Sequence, residues 1–210
     1  SFTAEPGETV ALVGPSGGGK TTLCNLIPRF YDVTGGTIRI DGQDVRSVTL
    51  HSLRSAIGVV QQDVYLFSGT VAENIAYGRP GATRAEIEEA ARLAGADAFV
   101  RALKDGYDTY VGERGVKLSG GQKRRVAIAG VIAMDPEVLI LDEPAAGLDP
   151  KGRDVILAQI SEYHRQRGNT ILLVSHSMED IGRVADRVLV MNNAHAEMYD
   201  ETRAVFSRGE

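Results

Sequence analysis

The sequence predicts an α/β fold in which helices flank a central, mainly parallel β-sheet. Short apolar runs alternate with helical patterns along the chain, and strands separated by helices pair in parallel. The runs at 138–141 and 171–174 lack polar residues at alternate positions, which is typical of strands covered on both faces. Strands are predicted at 9–13, 57–61, 138–141, 171–174 and 188–191.

The helices are predicted from local signals at their first residues. Thr83, followed three residues later by Glu86, forms a capping box that predicts a helix at 84–94. Further helices are predicted at 120–134 and at 150–167, the latter with proline at its first position. The segment 71–114 is therefore expected to be a mostly helical insertion between strands.

Composition excludes several classes of protein. The chain has 210 residues and a net charge of −5. It is therefore a poor candidate for a protein that binds nucleic acid by neutralising its phosphates. Its longest apolar stretch, 126–134, is far below the roughly 18 residues that a membrane-spanning helix needs. The single cysteine, Cys24, cannot form an internal disulfide, which fits a reducing compartment.

A glycine-rich loop directly after the first predicted strand is a candidate phosphate-binding site. The loop matches G-x-x-x-x-G-K-[ST] between a strand and a helix, the context that this motif requires. Its backbone N–H groups can surround a phosphate chain, while Lys20 can reach the β- and γ-phosphates and Thr21 can ligate Mg²⁺. The alternative is a glycine-rich turn with an exposed lysine. The candidate nucleotide-binding residues here are Gly14, Pro15, Ser16, Gly17, Gly18, Gly19, Lys20, Thr21 and Thr22. This loop in this fold class predicts a P-loop NTPase.

Polar side chains follow three other predicted strands. Asp142 and Glu143 end the strand at 138–141, at the sheet edge to which the first strand carries the phosphate loop. Asp142 is a candidate Mg²⁺ ligand, and Glu143 a candidate general base or positioner for the attacking water. His176 can stabilise charge on the γ-phosphate, although its position alone favours a loop histidine without a role. Gln62 is a candidate for contact with the metal or the water, and its position is similarly ambiguous.

A second anion site is predicted where the helix at 120–134 begins. Ser119, Gly120, Gly121 and Gln122 form a small-residue turn at a helix N-terminus, where free N–H groups favour anions. Because the phosphate loop already serves one nucleotide, this second site is interpreted as a contact for the nucleotide of another chain.

Together these motifs closely resemble the ATP-binding cassette family, the nucleotide-binding domains of ABC transporters. The phosphate loop, Gln62, the LSGGQ segment at 118–122, the Asp142–Glu143 pair, a D-loop ending in Asp149, and His176 follow one another in the family's order. The resemblance implies one ATPase domain, residues 1–210, with a catalytic core at 1–70 and 135–210 and a helical subdomain at about 71–134.

The resemblance also implies a mechanism and partners. It implies ATP and Mg²⁺ as cofactors, Lys20, Gln62, Glu143 and His176 as catalytic residues, and Thr21, Gln62 and Asp142 around the metal. Two cassettes would pair head to tail, so that Asp149 and the residues 119–122 complete the site of the other protomer. A transmembrane partner would contact the segments 62–78 and 111–115, and the assembled domain would lie at the cytoplasmic face of the membrane.

Two departures from the family pattern are expected to matter. The first half, to about residue 117, resembles exporter cassettes, whereas 123–210 resembles cassettes of energy-coupling-factor and cobalt importers, which suggests a chimera joined at 118–123. Only thirteen residues precede Gly14, so the antiparallel N-terminal edge of a complete cassette is expected to be truncated. The alternative function is therefore an engineered or recombined fragment that folds and binds nucleotide but has little transport-coupled activity.

Overall fold

The computed structural model describes residues 1–112 and 117–207, which form two compact units. The sheet unit comprises residues 1–59, 136–143 and 169 onward, and the helical unit comprises 60–135 and 144–168. Residues 113–115 of the expected partner loop at 111–115 lie outside the described residues.

The strands and helices are numbered in chain order. The strands are β1 (Thr9–Val13), β2 (Arg39–Ile40), β3 (Gln43–Asp44), β4 (Ile57–Val60), β5 (Gly69–Thr70), β6 (Tyr110–Val111), β7 (Val138–Asp142), β8 (Thr170–Val174), β9 (Arg187–Asn192) and β10 (His195–Glu201). The helices are α1 (Lys20–Leu26), α2 (Leu50–Ser55), α3 (Val71–Ala76), α4 (Arg84–Leu93), α5 (Asp97–Arg101), α6 (Gly120–Ile132), α7 (Pro150–Arg167), α8 (Met178–Val184) and α9 (Thr202–Ser207).

The main sheet has the strand order β10-β9-β1-β8-β7-β4. β1 pairs in parallel with both β8 and β9, and β7 pairs in parallel with β8. β10 pairs antiparallel with β9 and therefore forms one edge of the sheet. The predicted α/β class with a mainly parallel central sheet is confirmed.

The central strand β1 is buried on both faces, because its alternate side chains enter two different cores. Val10 and Leu12 belong to a large cluster, and Ala11 and Val13 to a smaller one on the opposite face. The large cluster also contains Cys24, Ile140, Leu172 and Val174, and the small one Ile181 and Val188. Each fully buried side chain of this size stabilises the fold by about 1.5–3 kcal/mol, so β1 is held firmly where the phosphate loop begins.

The helical unit is organised by local caps and by close helix contacts. The capping box of α4 is present: Thr83 Oγ1 accepts from the Glu86 N–H, and Glu86 accepts from the Thr83 N–H. The turn that follows α3 lies so close to α6 that a Cβ on Gly78 would lie 2.0 Å from the Gly130 carbonyl oxygen. No described helix combines the length and apolarity needed to cross a membrane.

Candidate active site

Lys20 lies folded into its own loop. β1 ends at Val13, the loop follows, and α1 begins at Lys20, whose side chain is buried. Its Nζ donates to the carbonyl oxygens of Gly14 at 2.8 Å and Pro15 at 2.9 Å. An ammonium has three donors, so these two carbonyls hold the lysine in the position from which a phosphate oxygen can replace them.

Packing requires glycine at two positions of this loop. Gly14 has φ +139°, and a Cβ there would lie 1.9 Å from the carbonyl oxygen of Met191 in β9. Gly19 has φ +94°, and a Cβ there would lie 3.1 Å from the Cα of Ala194. Glycine allows both the positive φ and the close approach, so the loop can pack directly against β9 and the residues that follow it.

The pair Thr21 and Asp142 joins the phosphate loop to the end of β7. Thr21 Oγ1 donates to Asp142 Oδ2 at 2.9 Å, and Asp142 is only 6% exposed. Hydroxyl and carboxylate oxygens are the hard donors that Mg²⁺ prefers, and Mg²⁺ usually takes only one or two protein ligands beside water and phosphate. No group of three or more His, Cys, Asp or Glu side chains suited to a metal is found among the described residues. This pair fits a magnesium ion carried by a nucleotide.

Glu143 and His176 are brought together at the same ends of neighbouring strands. Glu143 Oε1 lies 2.7 Å from His176 Nε2, and the glutamate side chain is 15% exposed while the histidine is 54% exposed. Glu143 has φ +53°, a left-handed conformation that costs a non-glycine residue about 1–3 kcal/mol. Its own N–H donates to the Val174 carbonyl of β8 at 3.0 Å, which holds this strained residue in place. Such strain at a polar pair is a reason to suspect function.

Cys24 lies on α1 behind the loop and is fully buried. Burial, reinforced by the negative charge of Asp142, raises the pKa of the thiol to about 12. A thiol with this pKa is not a nucleophile at neutral pH, so Cys24 fills space in the core.

Ser119, Gly120, Gly121 and Gln122 open α6 in the helical unit. Ser119 Oγ accepts from the Gln122 N–H at 3.2 Å, and Gln122 Oε1 accepts from the Ser119 N–H at 2.9 Å. In this capping box both side chains are hydrogen-bonded to the backbone, and the two residues between them in the first turn are glycines. The turn has the uncovered N–H groups that an anion site requires.

Gln62 and Asp149 also belong to the helical unit. Gln62 is exposed, and its carbonyl oxygen accepts from Arg124 Nη2 at 2.9 Å. Asp149 caps α7 by accepting from the Gly152 N–H at 3.3 Å. The bond between Arg124 and Gln62 was not marked by any motif, because it joins residues that are far apart in sequence.

Met191 and Ala194 contact the phosphate loop, and no sequence motif marks either of them as a site residue. Their contact depends on β9 lying beside β1, which only the strand order reveals. A local turn signal was present in Asn192–Asn193, the asparagine pair directly after the predicted strand at 188–191.

Three comparisons bear on identity. The family model described as ABC transporter matches residues 1–146. Over 195 residues the chain is 51% identical to a Staphylococcus aureus (strain NCTC 8325) protein named as a multidrug export ATP-binding/permease protein, covering 93% of this chain and 33% of that protein. It is 49% identical over 193 residues to the uncharacterized ABC transporter ATP-binding protein YwjA of Bacillus subtilis (strain 168), covering 92% of this chain and 33% of that protein.

A solved structure is similar over nearly the whole chain. It is a bacterial Atm1-family ABC exporter with ATP bound, with a TM-score of 0.89 and 42% sequence identity, covering 97% of this chain and 35% of that one. The chain spans about a third of the length of the curated relatives it matches. The family match extends across residues 118–123, where a chimera would be joined. With its motifs and fold, this chain belongs to the ABC transporter family.

Proposed function

We propose that this chain is the motor domain of an ABC exporter, which binds MgATP in its phosphate loop and hydrolyses it to ADP and phosphate. The observation that carries the proposal is the arrangement of Lys20, the Thr21–Asp142 pair and the Glu143–His176 pair at one set of strand ends. We further propose that residues 1–210 act as one ATPase domain, with a catalytic core at 1–70 and 135–210 and a helical subdomain at about 71–134.

The phosphate loop would bind the nucleotide through its backbone and Lys20. The Lys20 ammonium would exchange the Gly14 and Pro15 carbonyls for β- and γ-phosphate oxygens, to which it forms stronger, charge-assisted bonds. Thr21 and Asp142 would hold the metal, and Gln62 is proposed as a further residue for the metal or the attacking water. When bound, Mg²⁺ neutralises charge on the phosphates and makes the γ-phosphoryl group more electrophilic.

Glu143 would direct the attacking water. Its carboxylate lies beside His176 at the ends of the strands that follow the phosphate loop in the sheet, where it could orient the water and accept its proton. His176 would keep Glu143 in its strained conformation and stabilise charge that develops on the γ-phosphate.

A second copy of a cassette would complete each site. Ser119, Gly120, Gly121 and Gln122, together with Asp149, would contact the nucleotide held by the phosphate loop of the partner. A pair of identical surfaces related by a twofold axis would then hold two nucleotides. The related structure with ATP bound supports ATP as the nucleotide.

A transmembrane partner would supply the transport pathway. Four aromatic side chains of the helical unit, Tyr65, Phe67, Tyr77 and Tyr110, are exposed, and Phe67 and Tyr77 have ring centroids 4.4 Å apart. Exposed aromatic surface of this extent is typical of a protein interface. A relative about three times longer is named as an export ATP-binding/permease protein, which supports a partner in the membrane.

Phosphate release by the purified chain tests the proposal. The wild-type chain should hydrolyse MgATP; Glu143→Gln should lower turnover by about 10²-fold or more while nucleotide still binds, because a general base contributes roughly 10²–10⁴. Lys20→Ala should abolish nucleotide binding as well. If the folded wild-type chain and Glu143→Gln are equally inactive, the motor function is wrong and the fragment alternative stands.

A further inference from the structure

The turn between β9 and β10 lies against the phosphate loop. Asn193 and Ala194 have φ values of +47° and +61°, and His195 pairs with Asn192 across the turn. Two successive residues with positive φ form the type I′ turn that closes a two-residue hairpin. Both this hairpin and the phosphate loop belong to the sheet unit.

The hairpin contacts the loop through backbone atoms. The N–H of Ala194 donates to the carbonyl oxygen of Gly18 at 3.1 Å. A Cβ on Gly19 would lie 3.1 Å from the Cα and 3.3 Å from the Cβ of Ala194, and a Cβ on Gly18 would lie 3.3 Å from the carbonyl oxygen of Met191. The hairpin therefore covers one side of the loop and leaves no room for side chains there.

This single hydrogen bond sets the direction of a phosphate-binding donor. The carbonyl of Gly18 and the N–H of Gly19 belong to one planar trans peptide, so they point in opposite directions. Because the Gly18 carbonyl is held by the hairpin, the Gly19 N–H points away from the hairpin. A rotation of this peptide would break the bond to Ala194.

We propose that Ala194 is a positioning residue: its backbone N–H holds the Gly18–Gly19 peptide so that the Gly19 N–H faces the phosphates of the nucleotide. The inference rests on the proposed nucleotide binding and adds a residue outside every motif of the sequence. It requires the amide of residue 194 and not its side chain, since glycine is the usual residue at this place in such a turn.

A one-residue insertion moves this amide, and the chain offers a matched control. One glycine is inserted between Asn193 and Ala194, and in a second variant between Asp41 and Gly42. The second pair turns β2 into β3 in the same unit, has φ values of +50° and +77°, and has open space around Gly42. Affinity is measured with the fluorescent analogue TNP-ATP, and the free energy of unfolding with urea.

The insertion at 193/194 should weaken TNP-ATP binding by about tenfold or more, the loss expected for one hydrogen bond to a charged group. The insertion at 41/42 should leave affinity within about twofold of wild type, as should Ala194→Gly, which keeps the amide. The proposal is overturned if both insertions weaken binding equally, or if neither does.

Hydrogen exchange of the unmodified chain covers the case in which the 193/194 insertion fails to fold. The Ala194 N–H should exchange slowly although its turn is exposed, and exchange at an unprotected rate would overturn the proposal. This measurement needs no nucleotide. Failure of the wild-type chain to bind TNP-ATP would therefore refute the proposed function separately, with the Lys20→Ala variant as the reference for absent binding.

Discussion

Gly14 and Gly17 are two glycines of one loop with very different surroundings. A Cβ on Gly14 would overlap the Met191 carbonyl, whereas a Cβ on Gly17, at φ +76°, would meet nothing within 4 Å. Gly14→Ala should therefore lower the free energy of unfolding by about 3 kcal/mol or more, through overlap and backbone strain together. Gly17→Ala should cost only about 1 kcal/mol, the preference of its backbone for glycine. Urea denaturation of both variants measures the difference, and equal losses would contradict the contact with β9.

The buried thiol of Cys24 predicts how stability depends on pH. Its pKa is raised from the ordinary 9.0 to about 12 in the folded chain, so above pH 9 the unfolded chain loses this proton first. The stabilisation is complete below pH 9 and is lost as pH rises toward 12, by at most about 1.4 kcal/mol per pH unit. Burial also raises the pKa of Tyr163 to about 12, and this side chain acts in the same direction.

Urea unfolding at pH 8, 9.5 and 10.5 checks this dependence. Stability should decline along the series, and Cys24→Ala should decline less steeply because it keeps only the contribution of tyrosines. Equal slopes in the two proteins would show that the thiol is not shielded in the folded chain.

The first turn of α6 combines a structural cap with a proposed anion site, and substitutions at Ser119 can separate the two. Ser119→Ala removes the bond to the Gln122 N–H and should cost about 1 kcal/mol. Ser119→Asp keeps an N-cap acceptor, and its negative charge suits a helix N-terminus, so stability should be retained. The same charge opposes phosphate, so MgATP hydrolysis should be lost. Denaturation and phosphate release are measured side by side; an active, stable Ser119→Asp would contradict a role in nucleotide contact.

The elements that were predicted well carry their own signals. The strand Thr9–Val13 and the helix Pro150–Arg167 have the predicted bounds, because the first is a continuous apolar run and the second has Asp149, Pro150 and Gly168 at its ends. β10 was not predicted, since its residues are mostly polar and half exposed, and hydrogen bonds to β9 make it a strand.

In the candidate site, too, some features can be predicted from the local sequence and others depend on residues far away in the chain. The phosphate loop and the acidic end of β7 can be recognised from spacing alone. The left-handed backbone of Glu143 and the contact of Ala194 with Gly18 cannot, because both depend on neighbouring strands that arrive from other parts of the chain.

Two copies of the chain should associate only around nucleotide. Glu143→Gln, which binds MgATP but turns it over slowly, should elute at twice the monomer mass with MgATP and at the monomer mass with ADP. Each chain carries a net charge of −5, so repulsion opposes pairing and moderate salt should increase the dimer fraction. Size-exclusion chromatography with light scattering measures the mass. Adding Lys20→Ala to this variant is the control and should keep it monomeric.

The burial of Cys24 has a practical consequence for measuring how two protomers associate. It is the single cysteine of the chain and is shielded from reagents in the folded state. A cysteine introduced on any exposed position would therefore be the one thiol that reacts with a maleimide dye. Fluorescence energy transfer between two such dyes could report the separation of the protomers during turnover, without first replacing the native thiol.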